Sequence, residues 1–216
     1  MNDYNPMPGI ETYQENANPI ISSPNSEYAI QFYQTRDSLT DVDTYRQFLK
    51  NVESRVRKSE TYKNYKSFLM GLGMDHCQVH GYINSTMATI EMHHAIMTLF
   101  DIAMLITEHM LNTVGYVTTF DVSQAIKEEH KNGNVALVML SKTPHQVYHA
   151  DSSFFIHPDM CIGNWPKLLE KYNLGLTQDL AFKLLYYIKK AIENGCTNDN
   201  GLLDLRENIM NWSNLS

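Results

Sequence analysis

The stretch Val135-Ala-Leu-Val-Met-Leu140 constrains the fold more than any other. It stands between a turn signal, Asn132-Gly133, and a helix start, Thr143-Pro144. A short apolar run bounded this way reads as a strand buried on both faces, so the rest of the chain must supply cover for it. Helices are the available cover. Thr98 caps an apolar helix to about Leu111, with Asp101 at the third helical position. A second helix starts near Thr118 or Thr119, carries Val122, Ala125 and Ile126, and stops at Asn132-Gly133. Trp165 to Tyr172 and Thr177 to Asn194 follow as helices, the latter stopped by Gly195. Cys77 to Ile83 and Ala88 to His93 flank the polar turn Asn84-Ser-Thr-Met87, and a hairpin is expected there. Phe154-Phe-Ile156 is expected to be extended, and the polar end from Asn198 onward to be frayed.

The first 38 residues hold four of the seven prolines and show no sustained period. They read as an extended or disordered arm. Residues 39–70 read as one amphipathic helix, because Val42, Tyr45, Leu49, Val52 and Val56 recur at three- and four-residue steps. That seam either packs on the body or pairs two subunits. The same segment concentrates positive charge at Lys50, Arg55, Arg57, Lys58, Lys63 and Lys66. It reads as a solvated face or as a phosphate-contacting stripe. The net charge of −7 argues against a protein that coats nucleic acid through its overall field. A core spans 71–195 and a tail 196–216.

Cys77, Cys161 and Cys196 are odd in number and far apart, which fits neither a disulfide framework nor a zinc finger. A reducing, cytoplasmic setting is expected. Met1 to Tyr13 has no basic and apolar leader pattern, and no run is long enough to span a bilayer, so no membrane partner is expected.

The nine histidines form two informative groups. Glu91-Met-His93-His94 ends a predicted strand, and His145-Gln-Val-Tyr-His149 lies on a predicted helix. The four-residue step places His145 and His149 on one helix face, where both imidazoles can meet one divalent ion. His93 can supply a third ligand, leaving a coordination position open. His94 can reach the same site as a free imidazole, a natural base near neutral pH. His109 and His130 read as structural or solvated, His157 as ambiguous, and Cys77 as core.

Taken in order, the strand ending in Glu91-Met-His93-His94, the strand Leu137-Val-Met-Leu140 and the helix Pro144-His145-Gln-Val-Tyr-His149 resemble the ββα-metal core of HNH, or His-Me finger, nucleases. The run Leu140-Ser-Lys-Thr-Pro-His145 is also similar to phage-encoded HNH-like proteins, and the likeness covers about Tyr65 to Ile188. It implies an α+β fold: a ββα-metal core with a helical insertion, flanked by the N-terminal arm and helix and by C-terminal helices. It implies a metal-dependent endonuclease, phage-encoded and located in the host cytoplasm. One ion (Mg, Mn or Zn) would be held by His93, His145 and His149. His94 would be the general base. Asn134 is either the pattern's middle Asn or the Asn of a turn. Lys50, Arg55, Arg57, Lys58, Lys63, Lys66 and Lys142 would contact nucleic acid, expected to be DNA, and a homodimer through the arm and first helix stays open. The other reading is a non-catalytic interaction or assembly protein of the same fold that keeps the metal as a staple. An HD-type phosphohydrolase is excluded by the absence of a His-Asp dipeptide.

Overall fold

The computed structural model describes residues 33–144 and 155–214. The chain folds as a mostly helical α+β body with two small antiparallel sheets. One sheet pairs β1 (Gln34–Thr35) with β3 (Tyr116–Val117) and pins the entry of the body. The other pairs β2 (Ile90–His94) with β4 (Leu137–Ser141) in the register Ile90↔Ser141 to His94↔Leu137.

This central pairing differs from the expected hairpin. Residues 77–83 form bends and turns, with one isolated bridge between His76 and Asn84. Cys77 turns its buried side chain inward and its backbone N–H to Ile83 C=O at 2.8 Å. The nearby Gln78 side chain is occupied along β4: its Oε1 accepts from Met139 N–H at 2.6 Å. The strand partner of β2 therefore begins 43 positions beyond His94. Between them lie α3 (Leu99–Thr113), β3 and α4 (Thr119–Lys131). The chain turns sharply out of β2 through Ile96, whose φ is 67°, with Met97 N–H donating to Ala95 C=O at 2.6 Å. A β-branched residue at positive φ costs on the order of 1–3 kcal/mol, which the buried packing around Ile96 offsets. Helix α3 then starts on a reciprocal cap: Asp101 N–H donates to Thr98 Oγ1 at 3.1 Å, and Thr98 N–H donates to Asp101 Oδ2 at 2.7 Å.

The segment expected as one helix over 39–70 is two, α1 (Val42–Lys58) and α2 (Glu60–Gly71). Ser59 separates them with ψ 142° and caps α2 through its Oγ, which accepts from Tyr62 N–H at 3.3 Å. Leu49, Val52 and Val56 of the seam are fully buried, and α1 packs on α3 and α4. The seam is thus used inside the chain, while Val42 at its start stays exposed.

Beyond β4, residues 142–144 are helical. Helix α5 (Trp165–Lys171) and helix α6 (Gln178–Glu193) close the body. A short turn at Asn173–Gly175 sits so close to α3 that a Cβ on Gly175 would lie 1.8 Å from Leu105 O. The polar end is not frayed: α7 (Asp199–Trp212) packs on α6 through buried Leu202, Leu205 and Ile209. Their three- and four-residue spacing makes one apolar face. No helix among the described residues is long and apolar enough to cross a membrane.

Candidate functional site

His93 and His94 close β2 opposite Val138 and Leu137, both of them buried. Strand alternation sends the two side chains to opposite faces. His145 and His149, the other two expected metal ligands, lie outside the described residues. Among the described residues His93 belongs to no group of three ligating side chains.

His94 meets His130 of α4, Nε2 to Nε2, at 3.0 Å. His130 Nδ1 lies 2.7 Å from Ile126 C=O, so this nitrogen carries a proton and donates it. A neutral His130 then has a bare Nε2, and His94 Nε2–H is the donor to it. One proton lies between the rings, and a second would place two hydrogens face to face. Helix α2 covers the pair: Tyr62 stacks parallel on His94 at 6.1 Å and meets His130 edge-on at 5.3 Å, and Tyr65 meets His130 edge-on at 5.8 Å. Burial first, then the charge of a protonated His130 neighbour, holds His94 well below the usual imidazole range. Burial likewise brings His130 down to about 4, although its bond to Ile126 opposes this. Burial also pushes the Tyr62 phenol up to about 12. Both rings are buried, and burial favours their neutral forms.

A general base must face the proton that it removes and titrate near the working pH. His94 does neither. The free imidazole expected beside a metal is a core residue whose Nε2 is engaged by His130.

Asn134 is also committed elsewhere. Its Nδ2–H donates to Glu129 Oε2 at 2.6 Å. Glu129, fully buried, accepts at Oε1 from Tyr172 Oη–H at 2.9 Å and from the Lys171 ammonium. Burial alone would raise this carboxyl, but the bonds from Asn134, Lys171 and Tyr172 outweigh it and hold Glu129 below the usual range. Glu129 therefore ties α4 to the end of α5, and the Asn134 amide orients that carboxylate.

The cationic residues spread over α1, α2 and the segment after β4. Lys50, Arg55, Arg57 and Lys58 are exposed on α1 across roughly 160° of its circumference, at about 100° per residue. Arg57 pairs with Glu53 at 3.5 Å, and the Arg55 guanidinium lies 5.7 Å from the centre of the Phe120 ring. Arg55 and Lys58 share a shallow groove with Lys127 of α4. Lys63 is exposed and Lys66 half-buried on α2, and Lys142 is exposed after β4. The structure brings together Arg55, Lys58 and a lysine that was not expected, Lys127, rather than one stripe. His130 and Glu129 are the other residues missed from sequence. Their partners lie 36 and 42 or 43 positions away along the chain, a separation that local pattern does not report.

No curated protein and no solved structure matches the chain. A family model does, that of the bacteriophage G278-like virion protein, over residues 8–215. Its description names a component of the phage particle and no nuclease. The phage origin stands, while the expected endonuclease activity is overturned. With nearly the whole sequence matched, the chain belongs to the bacteriophage G278-like virion protein family.

Proposed function

We propose that this protein is a non-catalytic structural component of the phage particle that acts through contacts with other proteins. The observation that carries the reading is the match to a virion family along residues 8–215. The locked His94–His130 pair supports it, since the side chain best suited by sequence to be a base is spent on internal packing. Exposed apolar residues support it as well. Phe182 and Tyr186 lie one turn apart on α6, and Phe68 and Leu72 lie at the end of α2. Packing within a particle would cover such surface.

A ββα frame would be supported by the antiparallel pairing of β2 with β4 and by the helical residues 142–144 that follow. Within it, His93, His145 and His149 would hold one divalent ion as a staple between strand and helix. The donor set is three imidazoles, which suits zinc. Its work would be folding stability, as in structural zinc sites.

Mass spectrometry of gradient-purified, salt-washed particles tests the function. The protein is expected in fixed ratio to the other particle proteins. Recovery only in the soluble lysate, with none in particles, would reject the reading. The staple has its own test in His145→Ala, which should lower both metal content and melting temperature.

A further inference from the structure

Two distant stretches meet at the corner between α6 and α7. His157 caps the single turn Pro158–Met160, and Asp159 lies within that turn. Cys196 follows Gly195, whose left-handed φ of 76° ends α6 and swings the next residue inward. The three side chains converge: one ligating atom from each lies within 4.8 Å of the other two.

One hydrogen bond links two of the three side chains, and His157 Nδ1 accepts from Asp159 N–H at 3.3 Å. Cys196 Sγ lies 3.3 Å from Asp159 Oδ1, to which it donates. His157 Nδ1 is 3.6 Å from Asp159 Oδ2. Bonds of about 2.0–2.3 Å to a tetrahedral ion separate its ligands by roughly 3.3–3.8 Å. The Cys196 Sγ to Asp159 Oδ1 spacing falls in that interval before any ion enters. His157 Nε2 is buried and has no hydrogen-bond partner among the described residues. Asp159 is fixed from outside the cluster, its Oδ2 accepting from Thr197 N–H at 3.1 Å and from Thr197 Oγ1–H at 2.8 Å.

We propose that His157, Asp159 and Cys196 form a zinc-binding site that clamps the segment after β4 to the α6–α7 corner. The donor set decides the class of ion. One imidazole, one carboxylate and one thiolate suit zinc, whereas magnesium and calcium select oxygen ligands alone. Three protein ligands leave a fourth position for water or for a donor from a neighbouring subunit of the particle. The site shares no residue with the His93, His145 and His149 staple.

Ligation would replace the Cys196 thiol proton by the ion and release that proton to solvent. Cys161 lies beside the site, its Sγ 3.7 Å from His157 C=O, and is not one of the three.

Cobalt(II) titration of the chelator-stripped full chain tests the site, because thiolate ligation gives a sulfur-to-cobalt charge-transfer band. The band is expected in the wild type and in Cys161→Ser, and is expected to vanish in Cys196→Ser. His157→Ala should weaken binding at least 10-fold by competition with a chromophoric chelator, in line with loss of a ligand. His145→Ala should leave the band intact, because the other staple contains no sulfur, so the two metal sites fail separately. A wild type without the band at saturating cobalt would overturn the proposal, as would an undiminished band in Cys196→Ser.

Discussion

Glu129 and His130 are neighbours in the last turn of α4, both buried, and they stay buried by opposite means. Glu129 keeps its charge and gathers donors: Asn134, Tyr172 and Lys171. His130 gives up its charge and needs only Ile126 C=O and the His94 ring. The difference follows from their ordinary titration ranges. A carboxyl must hold a proton against a large excess of base to be neutral at pH 7, so supplying donors is the smaller change. An imidazole is largely neutral already, and burial finishes the job. Each solution fixes a different contact. The carboxylate joins α4 to α5, while the imidazole pair joins α4 to β2 and to the tyrosines of α2.

The largest effect expected from breaking this contrast is at Glu129. Glu129→Ala strands the Asn134 amide and the Tyr172 hydroxyl without their acceptor. Each orphaned buried donor costs about 1–3 kcal/mol, so a loss of about 3 kcal/mol is expected in urea denaturation at pH 7. Glu129→Gln keeps one carbonyl acceptor and should lose less. If Glu129→Ala is within about 0.5 kcal/mol of wild type, the carboxylate is not a tie between α4 and α5.

The histidine side is tested by acid. His130 has a folded value of about 4 against an ordinary 6.5, so between these limits the unfolded chain binds more protons. Stability is therefore full above pH 6.5 and falls as the pH is lowered toward 4. The loss due to His130 should reach about 2 kcal/mol by pH 5, a range in which ordinary carboxyls have scarcely begun to protonate. His94, shifted in the same direction, adds to it. Denaturation midpoints of His130→Phe measured from pH 7 to pH 5 should show a shallower slope than wild type. An unchanged slope would mean that His130 is not the buried neutral group described here.

Much of this framework was legible beforehand, and the reason is locality. The Thr98–Asp101 box, the helix starts near Thr118 and Thr177 and the Gly195 stop are each decided within four residues, and all are present. The strand after Gly133 was legible as an apolar run. What local pattern misjudged was pairing. The β2 strand was expected to fold back on residues 77–83, but it bonds to β4 across an excursion of two helices. Ser59 carried a legible cap signal that the continuous apolar seam concealed. Leu202, Leu205 and Ile209 carried a helical period that the polar surroundings concealed. At the site, residue type was a poor guide to role. A His-His dipeptide at a strand end suits a metal and its base, and it equally suits a core, once a distant histidine supplies the partner. Asn134 suits catalysis or a turn, and its amide goes to a carboxylate that no local pattern singles out.

The smallest expected effect separates the two neutral donors of Glu129 from its cation. Lys171 is half exposed, so its ion pair is screened by water and salt even though Glu129 is fully buried. Lys171→Met keeps the aliphatic length against the Tyr172 ring and removes the charge. The carboxylate retains Asn134 and Tyr172, so the loss should be about 1 kcal/mol or less at low salt, and it should shrink in 1 M sodium chloride. Tyr172→Phe removes a bond that salt does not screen, and its loss of about 1.5 kcal/mol should be the same in both buffers. Measuring the two variants side by side in low and high salt tests the contrast at its finest. If Lys171→Met costs more than Tyr172→Phe and salt leaves the difference untouched, Glu129 is held chiefly by its cation. It would then be a buried ion pair rather than a carboxylate solvated by neutral donors, and the distinction from the uncharged His94–His130 pair would be sharper still.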